Sequence, residues 1–438
     1  MTQLIRKQSP ARLIAIGFAL VILIGSVLLI LPCSVREGVD VRYIDALYTS
    51  TSAVCVTGLI AIDVGTAFTP LGQFFLAMLI QIGGLGVTSV GAGIILAMGK
   101  KINMRGRSLI REASNLDSGK GTVRFVRSVF LTTITFELIG AALSFIVFVK
   151  DYPPLTALGH SLFHSVAAFN NSGFDNLGLS EELYSNINLM PYQDNVLLNF
   201  TTCGLIIFGG IGFLVIKEIL EKRFQWKKFS MHAKVVLSMS AALIIAGTLL
   251  LKWTEDVTWL AAFFHSVSAR TAGFSTYNLG SFSNAGLLVL MVLMFIGASP
   301  GSTGGGIKTS TFYVLLQGIK ASATNRAEKG FRYAIPQGTF KKAAVITVLA
   351  LGVVFGGTYL MVVMEPDLRL IDALFEVTSA FGTVGLSTGI TSTLCDGSKI
   401  LSIVIMYIGR LGPLTIATLW YFTKGERVHY PDGNVAIG

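Results

Sequence analysis

Charged residues are scarce in this chain. Only 13% of its 438 residues are Asp, Glu, Lys or Arg, whereas 52% are hydrophobic. A soluble globular chain carries about 25% charged residues, so this composition excludes an ordinary water-soluble protein. Many of the apolar runs reach the roughly 20 residues that cross a lipid bilayer as a helix. The sequence therefore predicts an all-α integral membrane protein whose helices contact the lipid bilayer.

Cysteine and histidine are also rare, with four and five residues in the whole chain. The cysteines lie far apart and none forms a CxxC pair, so neither a disulfide framework nor a thiolate metal site is expected. The apolar runs also lack a paired nucleophile and base. We therefore expect neither an enzyme nor a covalent cofactor. The cysteines are Cys33, Cys55, Cys203 and Cys395.

Positive charge exceeds negative charge, giving a formal net charge of +10, but its distribution argues against a nucleic-acid partner. Lys and Arg concentrate near the N-terminus and in the stretches at residues 100–111 and 222–228. The opposite loops are acidic, as at Glu181, Glu182 and Glu255. Cationic loops mark the cytoplasmic side of a membrane protein. The pattern predicts a multi-pass plasma-membrane protein with both termini in the cytoplasm and an outer face that attracts cations.

Four short stretches of the chain repeat one another around a glycine. Each lies between two long hydrophobic segments, and self-similarity at a long period indicates a repeat architecture. A glycine at the same point of four loops suggests four backbones converging on one axis, where carbonyl oxygens replace the hydration shell of a cation. The alternative is four simple turns that close helical hairpins. The candidate filter residues are Val56, Thr57 and Gly58; Asn171, Ser172 and Gly173; Thr271, Ala272 and Gly273; and Thr383, Val384 and Gly385.

Each repeat is predicted to contain a long helix, a short half-helix, the glycine-containing loop and a second long helix. The fold class is therefore eight transmembrane helices, arranged as four helix–pore-loop–helix repeats around a pseudo-fourfold pore. The half-helices are too short to span a bilayer, so they are predicted to re-enter the membrane with their loops lining a cavity. The repeats are assigned to residues 1–100, 101–222, 223–322 and 323–423, followed by a cytoplasmic tail at 424–438.

The boundaries of these elements follow from the lengths of the apolar runs. The long helices are predicted at 11–31 and 68–98, 123–149 and 195–220, 233–251 and 285–317, and 341–364 and 399–422. The half-helices are predicted at 43–53, 155–168, 257–269 and 370–380.

A second glycine pattern recurs in the second long helices, at residues 82–86, 208–212 and 408–412. The third repeat instead carries the glycine-rich run at 301–306. That run nearly matches a phosphate-binding loop, but Ile307 interrupts the required Gly-Lys-Ser/Thr order and no strand precedes it. Because glycine and Pro300 disfavour a regular helix, we expect an unwound stretch that lines a cavity.

Several polar residues lie within the apolar runs and are candidates for a functional role. Arg410 lies deep in the last run, where an arginine is costly and usually functional; the alternative is a side chain that reaches the interface. Arg270 is expected to brace its loop by hydrogen bonds. Glu137 is either a proton relay or a structural carboxylate. His164 and His265 are expected to serve helix packing.

The repeated motifs resemble the Trk/Ktr/HKT superfamily of potassium transporters, in particular the KtrB-type membrane subunit. The resemblance covers nearly the whole chain and rests on the four glycine loops and on the 301–308 run. It implies selectivity for potassium as the transported substrate, because all four filter positions are glycine. It also implies an intramembrane gate loop with a positive barrier. The gate residues are Gly301, Ser302, Thr303, Gly304, Gly305, Gly306, Lys308 and Arg410.

The same resemblance implies partners that the residues themselves do not reveal. These are a second copy of the chain in a homodimer and a cytoplasmic regulatory subunit of the KtrA type that binds adenine nucleotides. Sodium is a candidate activator. Channel-like and coupled transport both stay open, as does a secondary transporter with a midplane substrate site, although inverted helix pairs typical of such transporters are not evident.

Overall fold

The structure, a computed structural model, describes residues 10–98, 106, 109–110, 121–178, 188–223 and 225–419. Within these ranges it is mostly α-helical, with a short hairpin formed by Lys329–Gly330 and Tyr333–Ala334. The predicted tail at 424–438, the basic stretch at 100–105 and the acidic pair at 181–182 lie outside the described residues.

Four long helices, here called the leading helices, open the four predicted repeats. Each is long and apolar enough to cross a membrane, and up to six such spans are present if two bent helix pairs are counted. Their exposed apolar side chains, such as Leu131 and Val348, suit a lipid-facing surface because a bilayer core solvates them. The predicted long helices at these four places are confirmed. The leading helices are Pro10–Ile30, Thr122–Phe148, Met231–Thr254 and Thr339–Met364.

A short buried helix follows each leading helix, as predicted. Local sequence signals set the N-terminal ends of these helices. Pro154 lies in the first turn of the second short helix. In the third short helix, the Thr258 side chain accepts a hydrogen bond from the Ala261 N–H. Each C-terminal end leads into a glycine loop, to which the helix presents the negative end of its dipole. The half-helices are Tyr43–Val54, Pro154–Phe169, Trp259–Ser268 and Leu370–Gly382.

The last helix of each repeat, here called the trailing helix, is broken, and the prediction of an uninterrupted helix is wrong in three repeats. Two of the pairs bend by 100° at the break. The cause is a glycine with φ of 83°, 92° and 90° at positions 86, 212 and 412, since the left-handed region is open to glycine at little cost but cannot continue an α-helix. The third break, predicted from its glycine-rich run, is confirmed. The trailing pairs are Pro70–Leu85 and Val87–Ala97, Val196–Ile211 and Phe213–Lys222, Asn284–Phe295 and Thr309–Thr324, and Asp396–Leu411 and Pro413–Thr418.

Matched contacts hold the three helices of each repeat together. A glycine of the leading helix faces a serine of the half-helix and a leucine of the trailing helix, and the fourth repeat uses valine and isoleucine instead. In the first three repeats the serine hydroxyl also donates to a carbonyl of the leading helix, at 2.7, 2.6 and 2.8 Å. A Cβ on any of these glycines would force the facing side chains to move, so glycine favours this close approach. The matched sets are Gly25, Ser50 and Leu79; Gly140, Ser165 and Leu205; Gly247, Ser266 and Leu293; and Gly357, Val377 and Ile405.

The contacts between successive repeats are also matched, and they run in a closed cycle. The first part of each trailing helix packs on the half-helix of the next repeat. The last trailing helix packs in the same way on Tyr43–Val54 of the first repeat. There the buried Lys399 Nζ lies 2.7 Å from Asp45 Oδ1, and the Tyr407 hydroxyl donates to the Ala15 carbonyl at 2.6 Å. The fourth repeat therefore contacts the first.

Candidate functional site

The four glycine loops, residues 56–58, 171–173, 271–273 and 383–385, meet at the centre of this cycle. A Cβ placed on Gly58 would lie 3.1 Å from the Cα of Gly173, one on Gly173 would lie 2.9 Å from that of Gly273, and one on Gly273 3.0 Å from that of Gly385. A Cβ on Gly385 would lie 2.9 Å from the Cα of Gly58. Each glycine thus abuts the next in chain order, and the fourth abuts the first, forming a closed glycine ring.

The backbone of all four loops alternates in handedness. The glycines have φ of 91°, 69°, 82° and 95°, and the residue two places earlier is also left-handed in every loop. Alternating left- and right-handed residues turn successive carbonyls toward the same side of the chain, as a cage of carbonyl oxygens requires. Left-handed β-branched residues are rare and cost about 1–3 kcal/mol each, and they cluster at functional sites. The earlier residues are Val56, Asn171, Thr271 and Thr383, with φ of 58°, 58°, 77° and 49°.

Side chains of the half-helices fix these strained loops. Ser52 Oγ accepts from the Gly58 N–H at 3.0 Å, and Ser379 Oγ accepts from the Gly385 N–H at 3.1 Å. In the third loop Ser268 Oγ instead donates to the Phe274 carbonyl at 2.5 Å. The predicted filter residues are buried except Gly385, which is partly exposed, so protein packs closely around most of each loop.

The irregular stretch between the two parts of the third trailing helix, residues 296–308, is here called the crossing segment. It contacts two of the glycine loops directly: the Gly305 N–H donates to Thr383 Oγ1 at 2.9 Å, and Gly304 packs against the side chain of Thr271. It also reaches the second repeat, where Thr303 Oγ1 donates to the Gly209 carbonyl at 3.2 Å. Among the predicted gate residues, Gly304 and Gly305 therefore lie beside the ring.

Two positively charged side chains lie at the crossing segment: Arg410 beside it and Lys308 at its end. Arg410 donates to the carbonyls of Thr303 and Gly83, so it joins the crossing segment to the first trailing helix. Lys308 Nζ donates to the Gly304 carbonyl at 2.6 Å. Both side chains line a cavity of about 470 Å³. Arg410 therefore points into the protein, against the alternative in which it reaches the membrane interface.

Two segments of the chain, residues 18–254 and 247–425, match the TrkH family, described as cation transport protein. The chain belongs to this family. The resemblance to the Trk/Ktr superfamily that the glycine motifs predict is confirmed, and the family is one of transport proteins, not of enzymes.

Relatives of this TrkH-family chain match over almost their whole length. Ktr system potassium uptake protein B of Bacillus subtilis (strain 168) is 39% identical, covering 98% of this chain and 97% of the relative. Potassium/sodium uptake protein NtpJ of Enterococcus hirae is 36% identical, covering 100% and 99%. The solved potassium transporter TrkH from Vibrio parahaemolyticus has a TM-score of 0.73 at 18% identity, over 95% of this chain and 86% of that one, which shows a shared fold.

The remaining polar residues of the TrkH-family chain have structural partners. Arg270 donates to the Ser240 carbonyl at 3.2 Å, as expected for a bracing role. His164 lies 2.9 Å from Thr202 Oγ1 and His265 lies 2.9 Å from the Ala261 carbonyl, both consistent with helix packing.

Glu137 accepts from the amide of Asn170, the last residue before the second glycine loop, at 3.1 Å. Its neighbour Gln81 accepts from the same amide nitrogen at 2.8 Å. These contacts fit the structural reading of Glu137, in which the carboxylate holds the end of a half-helix.

The second glycine pattern is visible in the sequence, but its packing role appears only in the structure. A Cβ on Gly83 would lie 2.8 Å from the carbonyl carbon of Val54, at the end of the first half-helix. The equivalent glycines, Gly209 and Gly409, face the carbonyl carbons of Phe169 and Phe381 at 3.0 and 2.9 Å. The first glycine of each pattern therefore lets the end of the half-helix approach the trailing helix closely, and the final glycine makes the break.

Proposed function

We propose that this chain is the ion-conducting subunit of a potassium uptake system that passes K⁺ across the plasma membrane. The closed glycine ring carries the proposal, because four left-handed loops that abut one another in cyclic order offer carbonyl rings in place of a hydration shell. The names of the relatives support potassium as the substrate. The sodium in the name of the Enterococcus relative motivates sodium as a candidate activator.

The arrangement we propose is a pseudo-fourfold pore with one repeat at each of 1–100, 101–222, 223–322 and 323–423. The matched glycine–serine–leucine sets and the cyclic contacts support it. Each repeat contributes a leading and a trailing helix to eight spans, the trailing ones being kinked where they border the pore. The filter consists of residues 56–58, 171–173, 271–273 and 383–385.

The crossing segment is proposed as the gate, and Arg410 with Lys308 as a positive barrier beside it. Its contacts with Thr271 and Thr383 support this role, because they bring the segment against the third and fourth loops of the ring. A cation that leaves the ring toward the cavity would pass both positive side chains. A cytoplasmic regulatory subunit that binds adenine nucleotides is proposed as one partner, in keeping with the word "system" in the name of the Bacillus relative. A second copy of this chain, forming a homodimer, is proposed as the other.

Complementation tests the proposal. Cells without their own potassium uptake systems should grow on low potassium when they express the wild type. Gly173→Ser and Gly273→Ser should lose discrimination of K⁺ over Na⁺, because the added side chain collides with the next loop. Gly204→Ser is the matched control, since a Cβ there meets nothing within 4 Å. Intact selectivity in both ring variants would refute the filter.

Coupled secondary transport remains the second candidate, because broken helices are also the usual substrate sites of such transporters. Purified protein in liposomes separates the two. Rubidium flux that follows its own gradient, with no second ion gradient applied, is expected for the pore, whereas flux that requires a sodium or proton gradient supports coupling.

A further inference from the structure

The four carbonyls of the glycine ring do not have the same hydrogen-bond partners. The carbonyl of Gly173 accepts a hydrogen bond from Asn188 Nδ2 at 3.2 Å. In the part of the chain that the structure describes, no side chain donates to the carbonyls of Gly58, Gly273 or Gly385. One of the four ring carbonyls is therefore held from outside by a side-chain amide.

Asn188 also joins the second loop to the third. Its Nδ2 lies 3.0 Å from Asp175 Oδ2, just beyond the second loop, and its Oδ1 accepts from the N–H of Ser275, just beyond the third, at 3.2 Å. The next residue, Leu189, donates its N–H to the Ser275 carbonyl at 3.1 Å. Ser275 is in turn 3.2 Å from His265 of the third half-helix.

The position of Asn188 is built for this contact. The residue is 7% exposed and has φ of 52°, a conformation that asparagine tolerates better than other residues with a side chain. Its amide presents a donor to the ring and an acceptor to the next repeat at the same time. Neither alanine nor glycine can replace these two hydrogen bonds.

We infer that Asn188 is a positioning residue that sets ion discrimination by fixing the direction of the Gly173 carbonyl. This inference rests on the proposed function, in which the ring carbonyls coordinate the ion. A carbonyl tied to an amide cannot rotate to follow a smaller cation, so the amide favours the larger ion for which the ring is sized. Loss of the amide leaves the Gly173 carbonyl, one of the four in the ring, free to rotate.

Two substitutions separate the hydrogen bond from the backbone conformation. Asn188→Gly keeps the left-handed conformation and removes the amide, whereas Asn188→Ala removes the amide and disfavours the conformation. Potassium and sodium uptake are measured for both in cells that lack their own systems. Both should lose about three- to tenfold of their K⁺ over Na⁺ discrimination, the worth of one hydrogen bond, with maximal uptake less affected.

Asn278→Ala is the control, because Asn278 accepts from the Gly280 N–H in an exposed turn beyond the third loop and touches no loop glycine. Asn188→Asp, which keeps the acceptor toward Ser275 but turns a carboxylate toward the Gly173 carbonyl, should also lose discrimination and serves if the smaller variants are unstable in detergent. Normal discrimination in Asn188→Gly, with or without a loss in Asn188→Ala, would overturn the inference. A wild type that takes up no potassium would instead count against the proposed function.

Discussion

Glycine residues have different structural roles at different positions of one helix in this protein. On the second trailing helix, Gly209 faces the end of the half-helix, whereas Gly204 faces open space. The first is required by packing, and the second only weakens the helix. The same residue type five positions apart therefore has opposite expected responses to substitution.

Gly209→Ala should lower stability, because the new methyl group overlaps the Phe169 carbonyl and overpacking costs about 1–3 kcal/mol. Gly204→Ala should leave stability unchanged or raise it slightly, since alanine favours the helix by about 1 kcal/mol over glycine. Thermal unfolding of the purified protein in detergent measures both. Equal melting temperatures for the two variants would contradict the packing account of the second glycine pattern.

Arg410→Ala should increase potassium flux. A fixed positive charge about 6 Å from a passing cation raises its energy by about 3 kcal/mol at an effective dielectric constant of about 20. Arg410→Lys keeps the charge and should retain most of the barrier. Rubidium flux into liposomes containing equal amounts of each protein gives the comparison, and a slower or unchanged flux in the alanine variant would remove Arg410 from the barrier.

At the scale of elements, the sequence predicts the leading helices and half-helices well, because apolar length and short polar-containing segments are local properties. The breaks at positions 86, 212 and 412 were not predicted. A glycine in an apolar run is compatible with a helix, and whether it turns left-handed depends on packing outside that helix, as at Gly212, which lies against Pro300 and Gly301 of the crossing segment. The four glycine loops are visible in the sequence because they repeat, whereas Asn188 occurs once and has no counterpart in the other repeats.

Removal of residues 304–306 from the crossing segment should raise the flux or abolish its regulation. Gly304 and Gly305 contact Thr271 and Thr383, so the shorter segment loses its contacts with the third and fourth loops. The measurement is rubidium flux into liposomes. The amount of protein and its elution volume in size-exclusion chromatography are compared with those of the wild type to confirm folding. Gating that is unchanged in a correctly folded deletion variant would exclude the crossing segment as the gate.

At the scale of the whole molecule, one buried ion pair joins the first repeat to the fourth. The Lys399 side chain is 4% exposed and that of Asp45 10%. Lys399→Met alone should destabilise the protein by about 1–3 kcal/mol, because the Asp45 carboxylate loses its buried partner and keeps only Arg42, whose side chain is 51% exposed. The double variant Asp45→Leu with Lys399→Met should recover much of that loss.

Lys217→Met offers the matched control for this prediction. Lys217 pairs with Glu221 at 3.7 Å, and both side chains are exposed, by 42% and 62%, so this pair contributes only about 0–1 kcal/mol. Unfolding in detergent compares the three variants. A loss of stability in Lys399→Met no greater than that in Lys217→Met would show that the contact between the first and fourth repeats does not stabilise the protein.

Selectivity shared among four loops is the central claim, and the reversal potential under mixed potassium and sodium tests it most directly. Gly58→Ser, Gly173→Ser, Gly273→Ser and Gly385→Ser should each shift this potential toward that of a nonselective cation pathway, while Gly204→Ser should not. A serine at any one of the four ring positions that leaves the reversal potential at the wild-type value would contradict the account.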